Sequence, residues 1–329
     1  MRYSDVKKRA VSVLKAAGIE EAEVDAEYLL LTAAGLERSS LFVKLFEEMP
    51  ESEEKTFNEL LARRSSHEPL QYIIGSTEFM GYKFIVTPDV LIPRFDTEIL
   101  AELAVKRSLE SIRTFSAPAV KEPDADMENN SLRILDLCTG SGCVAVSVGL
   151  GVSRELTEKC MSPVKISVTG ADISRAALDV AGRNLELNEK ESIRLEKEKE
   201  ITEKAGLKPD IAEIKFIESD LFNAIEGKYH IITANPPYIV RDEIQELMPE
   251  ITEHEPHLAL DGGSDGMDFY RRIVKEATGY LYKGGRLLME FDDSQAGSVK
   301  EMMQATGFSE IEIHKDLAGL KRVIEGVLR

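Results

Sequence analysis

The sequence predicts a doubly wound α/β fold with a mostly parallel, seven-stranded sheet, preceded by a small all-α domain. From Leu132 onward, short apolar runs typical of buried strands alternate with helical patterns, and this alternation favours a parallel sheet. Residues 1–70 carry apolar side chains at helical spacing only, and Gly18 and Gly35 end the first two helices. Alternating β-branched and aromatic residues around Met80 predict a hairpin between the two parts.

The composition is that of an acidic protein with few cysteines. The 329 residues are 43% hydrophobic, which is enough for a sizeable core, and the formal net charge is −18. An acidic surface repels phosphate backbones, so we expect no nucleic-acid partner. Three cysteines without paired spacing and five scattered histidines predict neither a disulfide framework nor a metal site. Because the sequence has no long apolar run and no signal-peptide core, we expect a cytoplasmic protein without membrane contact. We also expect a monomer.

Changes of pattern divide the chain into three parts. Residues 1–70 show no titratable cluster, so they are interpreted as a helical domain that binds a partner or acts as a lid. Residues 71–92 predict a β-hairpin linker, and residues 93–329 predict the α/β domain. Two segments of the latter, 113–131 and 189–210, are polar or strongly charged, and we interpret them as surface excursions.

A nucleoside-binding unit is predicted between Leu132 and Asp172. A buried strand leads into a glycine-containing turn and then an apolar helix, so a ligand can approach the backbone closely beside the helix N-terminus. A second strand ends at Asp172, whose carboxylate can accept both hydroxyl hydrogens of a ribose. The glycine spacing lacks the GxGxxG pattern, which favours a mononucleoside such as S-adenosylmethionine over a dinucleotide. A third strand ends at Asp220, which places Asp220 and Leu221 at the same edge.

The stretch Asn235-Pro236-Pro237-Tyr238 follows a predicted buried strand, Ile231–Ala234. Proline cannot continue a strand, so the chain leaves the sheet in a stiff turn at the strand's carboxyl end, where open α/β sheets bind ligands. Proline also has a carbonyl oxygen but no N–H. An amide side chain, a free carbonyl and an aromatic ring suit an NH2 group, which donates two hydrogens. We therefore predict that this loop aligns a substrate nitrogen for methyl transfer.

A stiff connector, Val90–Glu98, precedes the first helix of the α/β domain. Pro93 restricts its backbone, and Asp96 or Thr97 can cap the following helix. Residue types alone favour this structural role, while a functional interpretation has Arg94 and Glu98 facing the site.

Several motifs together resemble the HemK/PrmC family, the release factor glutamine N5-methyltransferases, which are class I S-adenosylmethionine-dependent enzymes. In chain order these motifs are Glu68–Gly75, Val90–Arg94 with Thr97-Glu98, Asn235–Tyr238, Glu255–Gly263 with Asp265-Gly266 and Phe269-Tyr270, and Lys315–Gly319 with Arg322. The resemblance extends from the helical domain to the C-terminus. Three positions depart from the family pattern: Cys138 replaces a frequent Gly, Phe95 a common Pro, and Asp292-Asp293 a usual Gly and aromatic residue.

The resemblance implies a Rossmann-like methyltransferase domain and a helical domain that docks a class-1 peptide chain release factor. It implies S-adenosyl-L-methionine as the cofactor, S-adenosyl-L-homocysteine as its product, and the glutamine of a Gly-Gly-Gln loop as the methyl acceptor. It implies that Cys138, Thr139, Gly140, Ser141, Gly142, Asp172 and Leu221 contact the cofactor and that Asn235, Pro236, Pro237 and Tyr238 receive the glutamine. From the residue patterns we add Asp220 and Asn235 as predicted cofactor contacts and Arg94 and Glu98 as predicted substrate contacts. The predicted catalytic residues are Asn235, Pro236 and Tyr238.

Two other functions remain open from the residues alone. An adenine-N6 nucleic-acid methyltransferase would offer an exocyclic amine to the same loop, but it needs a basic groove and base-flipping aromatic residues, and this acidic chain has no Trp. A non-catalytic binder could hold a release factor or another partner through the helical domain, yet it has no use for the glycine turn, Asp172 and Asn235–Tyr238 together.

Overall fold

The computed structural model describes residues 1–115, 131–159, 164–198 and 212–329. Most of the predicted excursions at 113–131 and 189–210 lie outside the described residues, as does Cys160. The described residues form two compact units. The first comprises Met1–Ser76, Val86–Pro88 and Gln245–Glu255, and the second comprises Thr77–Ile85, Asp89–Ile244 and Pro256–Arg329.

The first unit is helical, as the sequence predicts. Its helices are α1 (Tyr3–Ala16), α2 (Ala22–Ala34), α3 (Arg38–Lys44), α4 (Glu51–Ser65), α5 (Leu70–Ile74) and, from a distant part of the chain, α9 (Pro249–Thr252). Helices α1, α2 and α4 share a core in which Val6, Leu29 and Phe57 are fully buried. The assignment of residues 71–75 to a hairpin is wrong, because this segment belongs to α5, which begins after Pro69 and ends at Gly75 with φ +81°.

A buried ion-paired group holds the 245–255 segment in this unit. Arg64 donates to Asp25 at 2.6 Å and to Glu250 at 3.1 Å, and Arg64 and Asp25 are both buried. A charge of this kind is stable in the interior only when paired. The sequence does not predict this contact, because 186 positions separate Arg64 from Glu250.

The second unit contains the predicted mostly parallel sheet. A hairpin of β1 (Ser76–Phe79) and β2 (Tyr82–Ile85) precedes seven described strands: β3 (Ser131–Leu137), β4 (Lys165–Asp172), β5 (Glu213–Glu218), β6 (Tyr229–Ala234), β7 (Leu281–Glu290), β8 (Phe308–Lys315) and β9 (Lys321–Leu328). Their order is β5-β4-β3-β6-β7-β9-β8. Strands β3 to β7 pair in parallel, and β9 is antiparallel to both of its neighbours. The last strand of the chain, β9, thus lies between β7 and β8, and β8 forms the edge.

Helices cover both faces of this sheet, which makes the fold doubly wound. They are α6 (Glu98–Phe115), α7 (Cys143–Glu158), α8 (Arg175–Glu198), α10 (Asp268–Tyr280) and α11 (Ala296–Ala305). Alternating residues of β3 enter two separate cores: Ile134 belongs to the core that contains α7, and Leu135 belongs to the core that contains α10. Among the helices of the described segments, none is long and apolar enough to cross a bilayer.

A buried carboxylate, Glu325, organises charges around β9. It is fully buried and accepts a hydrogen bond from Arg107 at 2.8 Å; Arg286 lies at 3.3 Å and the His314 ring at 2.9 Å. Burial raises the pKa of Glu325, but the hydrogen bonds of His314 and Arg107 outweigh burial and lower it to about 2. Glu312 joins Glu325 and His314 in a group that could in principle hold a cation, but Arg107 and Arg286 already supply positive charge.

We predict that Glu325→Gln lowers the free energy of unfolding by roughly 1.5–3 kcal/mol, the scale of a hydrogen bond to a charged group, because it leaves the partly buried Arg107 and Arg286 without their carboxylate. The stabilisation by Glu325 is complete at neutral pH and is lost as the pH falls toward its pKa of about 2. Urea unfolding followed by circular dichroism measures the change. The matched control is Glu186→Gln, which alters an exposed glutamate paired with Lys190. Equal stability of the two variants would contradict the prediction.

Candidate functional site

A cavity of about 290 Å³ opens at the carboxyl ends of the parallel strands of the second unit. Parallel strands place their carboxyl ends at one edge, so residues far apart in sequence meet there. Four strand ends contribute to its lining: Cys138–Ser141 after β3, Asp172–Ser174 at β4, Ser219–Leu221 after β5, and Asn235 with Pro237 after β6. The other walls include residues of the connector at 89–97 and Leu258, Phe269 and Arg272.

The turn after β3 has the backbone that the glycine pattern predicts. Gly140 and Gly142 have φ of +52° and +78°. A Cβ on Gly142 would lie 3.0 Å from the Ala181 Cβ atom, whereas a Cβ on Gly140 would meet nothing within 4 Å. Cys138 also has a left-handed backbone, with φ +55°. This conformation explains why glycine is frequent at that position in the family that the sequence resembles.

Hydrogen bonds from two threonine hydroxyls to a buried aspartate stabilise this turn. The Thr139 hydroxyl donates to Asp136 at 2.6 Å, and the Thr233 hydroxyl donates to the same carboxylate at 2.7 Å. Burial raises the pKa of Asp136 to about 6, although both hydroxyls act in the opposite direction. The sequence analysis assigned no role to Asp136, which is buried within β3 and lines the cavity.

Asp172 is suited to bind a ribose. One of its carboxylate oxygens accepts from the Gly140 N–H at 2.8 Å and the other from the Ser174 N–H at 2.9 Å. Burial raises its pKa, and the two backbone hydrogen bonds counteract this effect. Each carboxylate oxygen has a second lone pair, so Asp172 can still accept two hydroxyl hydrogens from a ligand in the cavity.

The residues after β5 shape another wall. Leu221 is buried, has φ +49° and presents an apolar surface to the cavity. Asp220 also lines the cavity, and one of its oxygens accepts from Arg272 at 2.8 Å. The sequence analysis did not identify Arg272, because nothing in the α10 pattern distinguishes it from a solvated arginine. Since Arg272 binds one oxygen of Asp220, the second oxygen can accept a hydrogen bond from a ligand in the cavity.

The loop after β6 brings Asn235 and Pro237 to the cavity, whereas Pro236 and Tyr238 lie beside them outside its lining. The Asn235 NH2 group donates to the Thr97 hydroxyl at 3.1 Å. This contact gives Thr97 a partner in the site, where the sequence suggested only a helix cap. Burial raises the pKa of the half-buried Tyr238 phenol, which is therefore neutral.

A second loop holds the backbone of Tyr238 and Ile239 in place. The Gly262 N–H donates to the Ile239 carbonyl at 2.8 Å, and Gln295 donates to the carbonyls of Tyr238 at 2.9 Å and Gly266 at 3.1 Å. A Cβ on Gly262 would lie 2.7 Å from the Tyr238 Cα atom. The Glu255–Gly266 motif thus supports the loop after β6 by close backbone contact.

Asp292 and Asp293 have a structural role in this support. The Asp292 side chain accepts from the Ser294 N–H at 3.0 Å, and the Gln295 side chain accepts from the Asp292 N–H at 3.2 Å, which forms a capping box. The box holds the Gln295 side chain that binds Tyr238. Asp293 accepts from the Lys321 N–H at 2.9 Å. The departure from the family pattern at these two positions is therefore compatible with a rigid loop.

The connector places only one of its two predicted residues at the cavity. Arg94 lines it, but Glu98 does not and instead accepts a hydrogen bond from the Met80 N–H at 2.6 Å. Glu98 thus ties the hairpin to α6, and no contact of this side chain supports the substrate role expected for it. Phe95, where the family commonly has proline, is 77% exposed.

Glu290 lies beside the site, although it does not line the cavity, and it was not among the predicted site residues. It ends β7 and is only 3% exposed. Burial raises its pKa to about 7, while the donor groups of Thr97 and Asn235 act in the opposite direction. The signal that identified Asp172, an acid at the carboxyl end of a strand, is present here too.

Comparisons with known proteins agree with this geometry. A family model described as "PrmC N-terminal domain" matches residues 5–75, and an "Eco57I restriction-modification methylase" model matches residues 167–289. A release factor glutamine methyltransferase from Geobacter sulfurreducens is 36% identical over 94% of this chain and 90% of its own length. One from Thermodesulfovibrio yellowstonii is also 36% identical, over 86% of this chain and 85% of its own length. One from Cereibacter sphaeroides is 34% identical over 100% of this chain and 99% of its own.

A solved structure, the hMettl16 catalytic domain in complex with an RNA hairpin, covers 82% of this chain and 81% of its own, with 13% identity and a TM-score of 0.46. A likeness of this degree carries no argument about the activity of the chain.

The lining of the cavity fits S-adenosylmethionine. Asp172 can accept hydrogen bonds from ribose hydroxyls, and the apolar Leu221 side chain can pack against an adenine. The open space beside Gly140 lets a ligand approach the backbone closely. A protein with this sheet, this cavity and these relatives is an S-adenosylmethionine-dependent methyltransferase. Because curated relatives at 34–36% identity align with nearly the whole chain, it belongs to the release factor glutamine methyltransferase family.

We predict that Asp172→Ala weakens S-adenosylmethionine binding by roughly 10- to 100-fold, the scale of one hydrogen bond to a charged group. Isothermal titration calorimetry measures the dissociation constant. Asp179→Ala is the matched control, since Asp179 is an exposed carboxylate on α8 that pairs with Arg175. Unchanged affinity of the Asp172 variant would contradict the ribose assignment.

Proposed function

We propose that this protein transfers the methyl group of S-adenosyl-L-methionine to the side-chain amide nitrogen, N5, of the glutamine in the Gly-Gly-Gln loop of a class-1 peptide chain release factor. The observation that carries this proposal is the orientation of Asn235 at the cavity. Its NH2 group is engaged with Thr97 at 3.1 Å, which leaves its Oδ1 atom to accept a hydrogen bond from a substrate amide. The names of the curated relatives support the choice of substrate.

The reaction requires placement more than it requires a strong base. An amide nitrogen is a weak nucleophile, because its lone pair is delocalised into the carbonyl group. The bound cofactor supplies a methyl group that is already activated by a positively charged sulfur atom. Asn235 Oδ1 and the Pro236 carbonyl each accept a hydrogen bond from the NH2 group of the glutamine and so align its nitrogen with the methyl group. Such placement supplies roughly 7–11 kcal/mol of barrier reduction when the geometry is near attack.

The same two acceptors stabilise the charge that develops on the nitrogen. As the new bond forms, the nitrogen becomes positive, and oxygen acceptors that are already oriented need no reorganisation. The neutral Tyr238 ring can pack on the flat amide of the substrate. The proton leaves the nitrogen after the transfer and passes to water.

One observation favours a second candidate function. The match to a restriction-modification methylase covers residues 167–289, which include Asn235–Tyr238. An exocyclic adenine amine also presents two N–H donors to such a loop. The formal net charge of −18 opposes the approach of a nucleic acid, so the protein substrate is the better supported of the two.

A labelling experiment separates these possibilities. The purified protein is incubated with methyl-labelled S-adenosylmethionine and, in parallel, with a release factor, its Gly-Gly-Gln glutamine-to-alanine variant, and duplex DNA. Label on the release factor alone supports the proposal. Label on DNA supports the adenine alternative, and cofactor binding without any transfer supports a non-catalytic binder.

We further propose that the helical unit docks the release factor, in line with the family match over residues 5–75. A reaction on a translation termination factor takes place in the cytoplasm, and we propose a monomer as the active form.

We predict that Asn235→Ala lowers turnover by on the order of 10²-fold or more, since it removes one preorganised acceptor. Cofactor affinity should fall much less. Steady-state transfer of label gives the turnover, and calorimetry gives the affinity. Gln304→Ala, at an exposed amide side chain on α11 outside the cavity lining, serves as the control. Wild-type turnover in the Asn235 variant would rule out the mechanism.

We also predict that Gly262→Ala lowers turnover by on the order of 10²-fold, the cost of displacing reacting groups by about 1 Å. The added methyl group would lie 2.7 Å from the Tyr238 Cα atom, and backbone cannot move aside as a side chain can. In the control Gly297→Ala, the new methyl group on α11 meets nothing within 4 Å. The support assigned to Gly262 would be refuted if both variants turned over alike.

A further inference from the structure

The exposed apolar side chains of the α/β unit are concentrated around the cavity. Among the described residues of this unit, the large apolar side chains that are exposed are Phe95, Ile173, Leu258, Leu317 and Leu320. Ile173 and Leu258 belong to the cavity lining. The other three lie outside the lining, and we call them the apolar ledge. Single exposed apolar residues are common on protein surfaces, whereas a group of them beside a cavity marks an interaction site.

The strand register brings the tip of the β8–β9 hairpin to the edge of the sheet where the cavity opens. Strand β9 runs antiparallel to β7, with Val323 opposite Glu290, the last residue of β7. The Phe291 N–H donates to the Arg322 carbonyl at 2.9 Å. Residues 316–320, which precede β9, therefore lie beyond the carboxyl end of β7.

An arginine holds the segment of Phe95 beside this hairpin tip. The Arg322 Nε atom lies 2.9 Å from an Asp316 oxygen and 3.2 Å from an Asp96 oxygen. Phe95 precedes Asp96 in the chain, and Leu317 follows Asp316. Because one nitrogen atom binds both carboxylates, the two apolar residues belong to neighbouring parts of the surface.

The hairpin tip is a rigid turn. The Leu320 N–H donates to the Asp316 carboxylate at 2.8 Å, and the Asp316 N–H donates to the Leu320 carbonyl at 2.8 Å. Gly319 takes the left-handed backbone that closes the turn, with φ +87°. A loose loop could fold its apolar side chain back onto the protein. This turn instead holds the Leu317 side chain fully exposed.

The ledge and the substrate loop share one support. The Lys321 N–H donates to the Asp293 side chain at 2.9 Å, and Gln295, in the same turn, donates to the Tyr238 carbonyl at 2.9 Å. The position of the hairpin tip is thus coupled to that of the loop after β6. The ledge is held in a fixed place relative to the atoms that receive the methyl acceptor.

We propose that the apolar ledge is a docking surface for the folded release factor, and that it packs against an apolar patch of the factor beside its Gly-Gly-Gln loop. This inference rests on the proposed function. A stable protein interface buries about 800 Å² on each partner, far more than one glutamine side chain supplies. Phe95 directly follows Arg94, which lines the cavity. A protein that inserts a glutamine at Asn235 therefore covers the ledge as well.

The chemistry of the ledge favours a protein partner over a nucleic acid. Burial of apolar surface is the main driving force of protein association. A nucleic acid would present phosphates to this face, and its affinity would come from lysines and arginines. In the ledge, exposed leucine and phenylalanine side chains occupy the position beside the cavity, and the chain has a net charge of −18.

A binding measurement with the double variant Phe95→Ser/Leu317→Ser tests the proposal. Both side chains are exposed, so the substitutions remove no core contact. With S-adenosylhomocysteine bound, the dissociation constant for the release factor, measured by calorimetry, should rise by roughly 10- to 100-fold, the scale of one buried apolar side chain. The matched control, Phe95→Leu/Leu317→Met, keeps the apolar area and should retain the affinity. Equal affinity of the wild type and the serine variant would show that the proposal is wrong.

Kinetics with two substrates show whether the ledge acts at a distance from the reacting atoms. A short Gly-Gly-Gln peptide does not reach the ledge, whereas the folded factor does. The ratio of kcat/KM for the factor to kcat/KM for the peptide should therefore fall roughly 10- to 100-fold in the serine variant. An unchanged ratio would mean that the substitutions disturb the site itself, which contradicts a docking role.

Two further outcomes separate this inference from its alternatives. If sedimentation shows a wild-type dimer that the serine variant loses, a second copy of the chain covers the ledge, and the proposal is overturned. If the factor binds in a manner that depends on the ledge but its glutamine receives no label, only the proposed reaction fails. If the factor is methylated and the serine variant binds it as the wild type does, only the ledge fails.

Discussion

The parallel pairing of β4, β3, β6 and β7 is the constraint on which the site depends. Together with the parallel pairing of β5 to β4, it brings five strand ends to one edge, although these ends are spread between residues 137 and 290 of the sequence. Asp172, Asn235 and Glu290 all occupy equivalent places, at or just after the last residue of a strand. In the proposed function the first accepts hydrogen bonds from the ribose hydroxyls of the cofactor, and the second accepts a hydrogen bond from the methyl-accepting nitrogen. Rigid strands, more than the loops themselves, determine the distances between these groups.

The polar side chains of the site form hydrogen bonds within the protein, but each of them keeps an acceptor atom or lone pair that these bonds do not use. Asp172 uses one lone pair on each oxygen for backbone N–H groups, and Asn235 uses its NH2 group for Thr97. What remains points to the cavity and is specific for hydroxyl or amide hydrogens. The chemistry of the site therefore comes from acceptors that are held in place, and it needs no strongly basic side chain.

Much of the fold and part of the site could be predicted from the sequence. The strands that end in Asp172 and Asn235 were evident because apolar runs stop at polar residues or prolines. The helix at 70–74 was missed, because its five residues are also β-prone and only Pro69 and Gly75 define it. Glu98 and Arg272 show the limit for side chains: each is held by a partner distant in sequence, Met80 or Asp220, and residue type does not indicate such a partner. Glu290 was missed because Phe291 continues the apolar run beyond it, so the acid reads as part of the strand and not as its end.

The position of residues 245–255 has a consequence for the modularity of the chain. The segment lies between Ile244 and Pro256 of the α/β unit, yet it belongs to the helical unit, where Glu250 binds the buried Arg64. The polypeptide therefore enters the helical unit more than once. A gene fragment that encodes only residues after 76 would still encode residues 245–255, which belong to the helical unit. Recombination at residue 76 would therefore combine this segment with a helical unit to which it is not adapted. The two units are thus expected to be inherited together and to diverge as a pair.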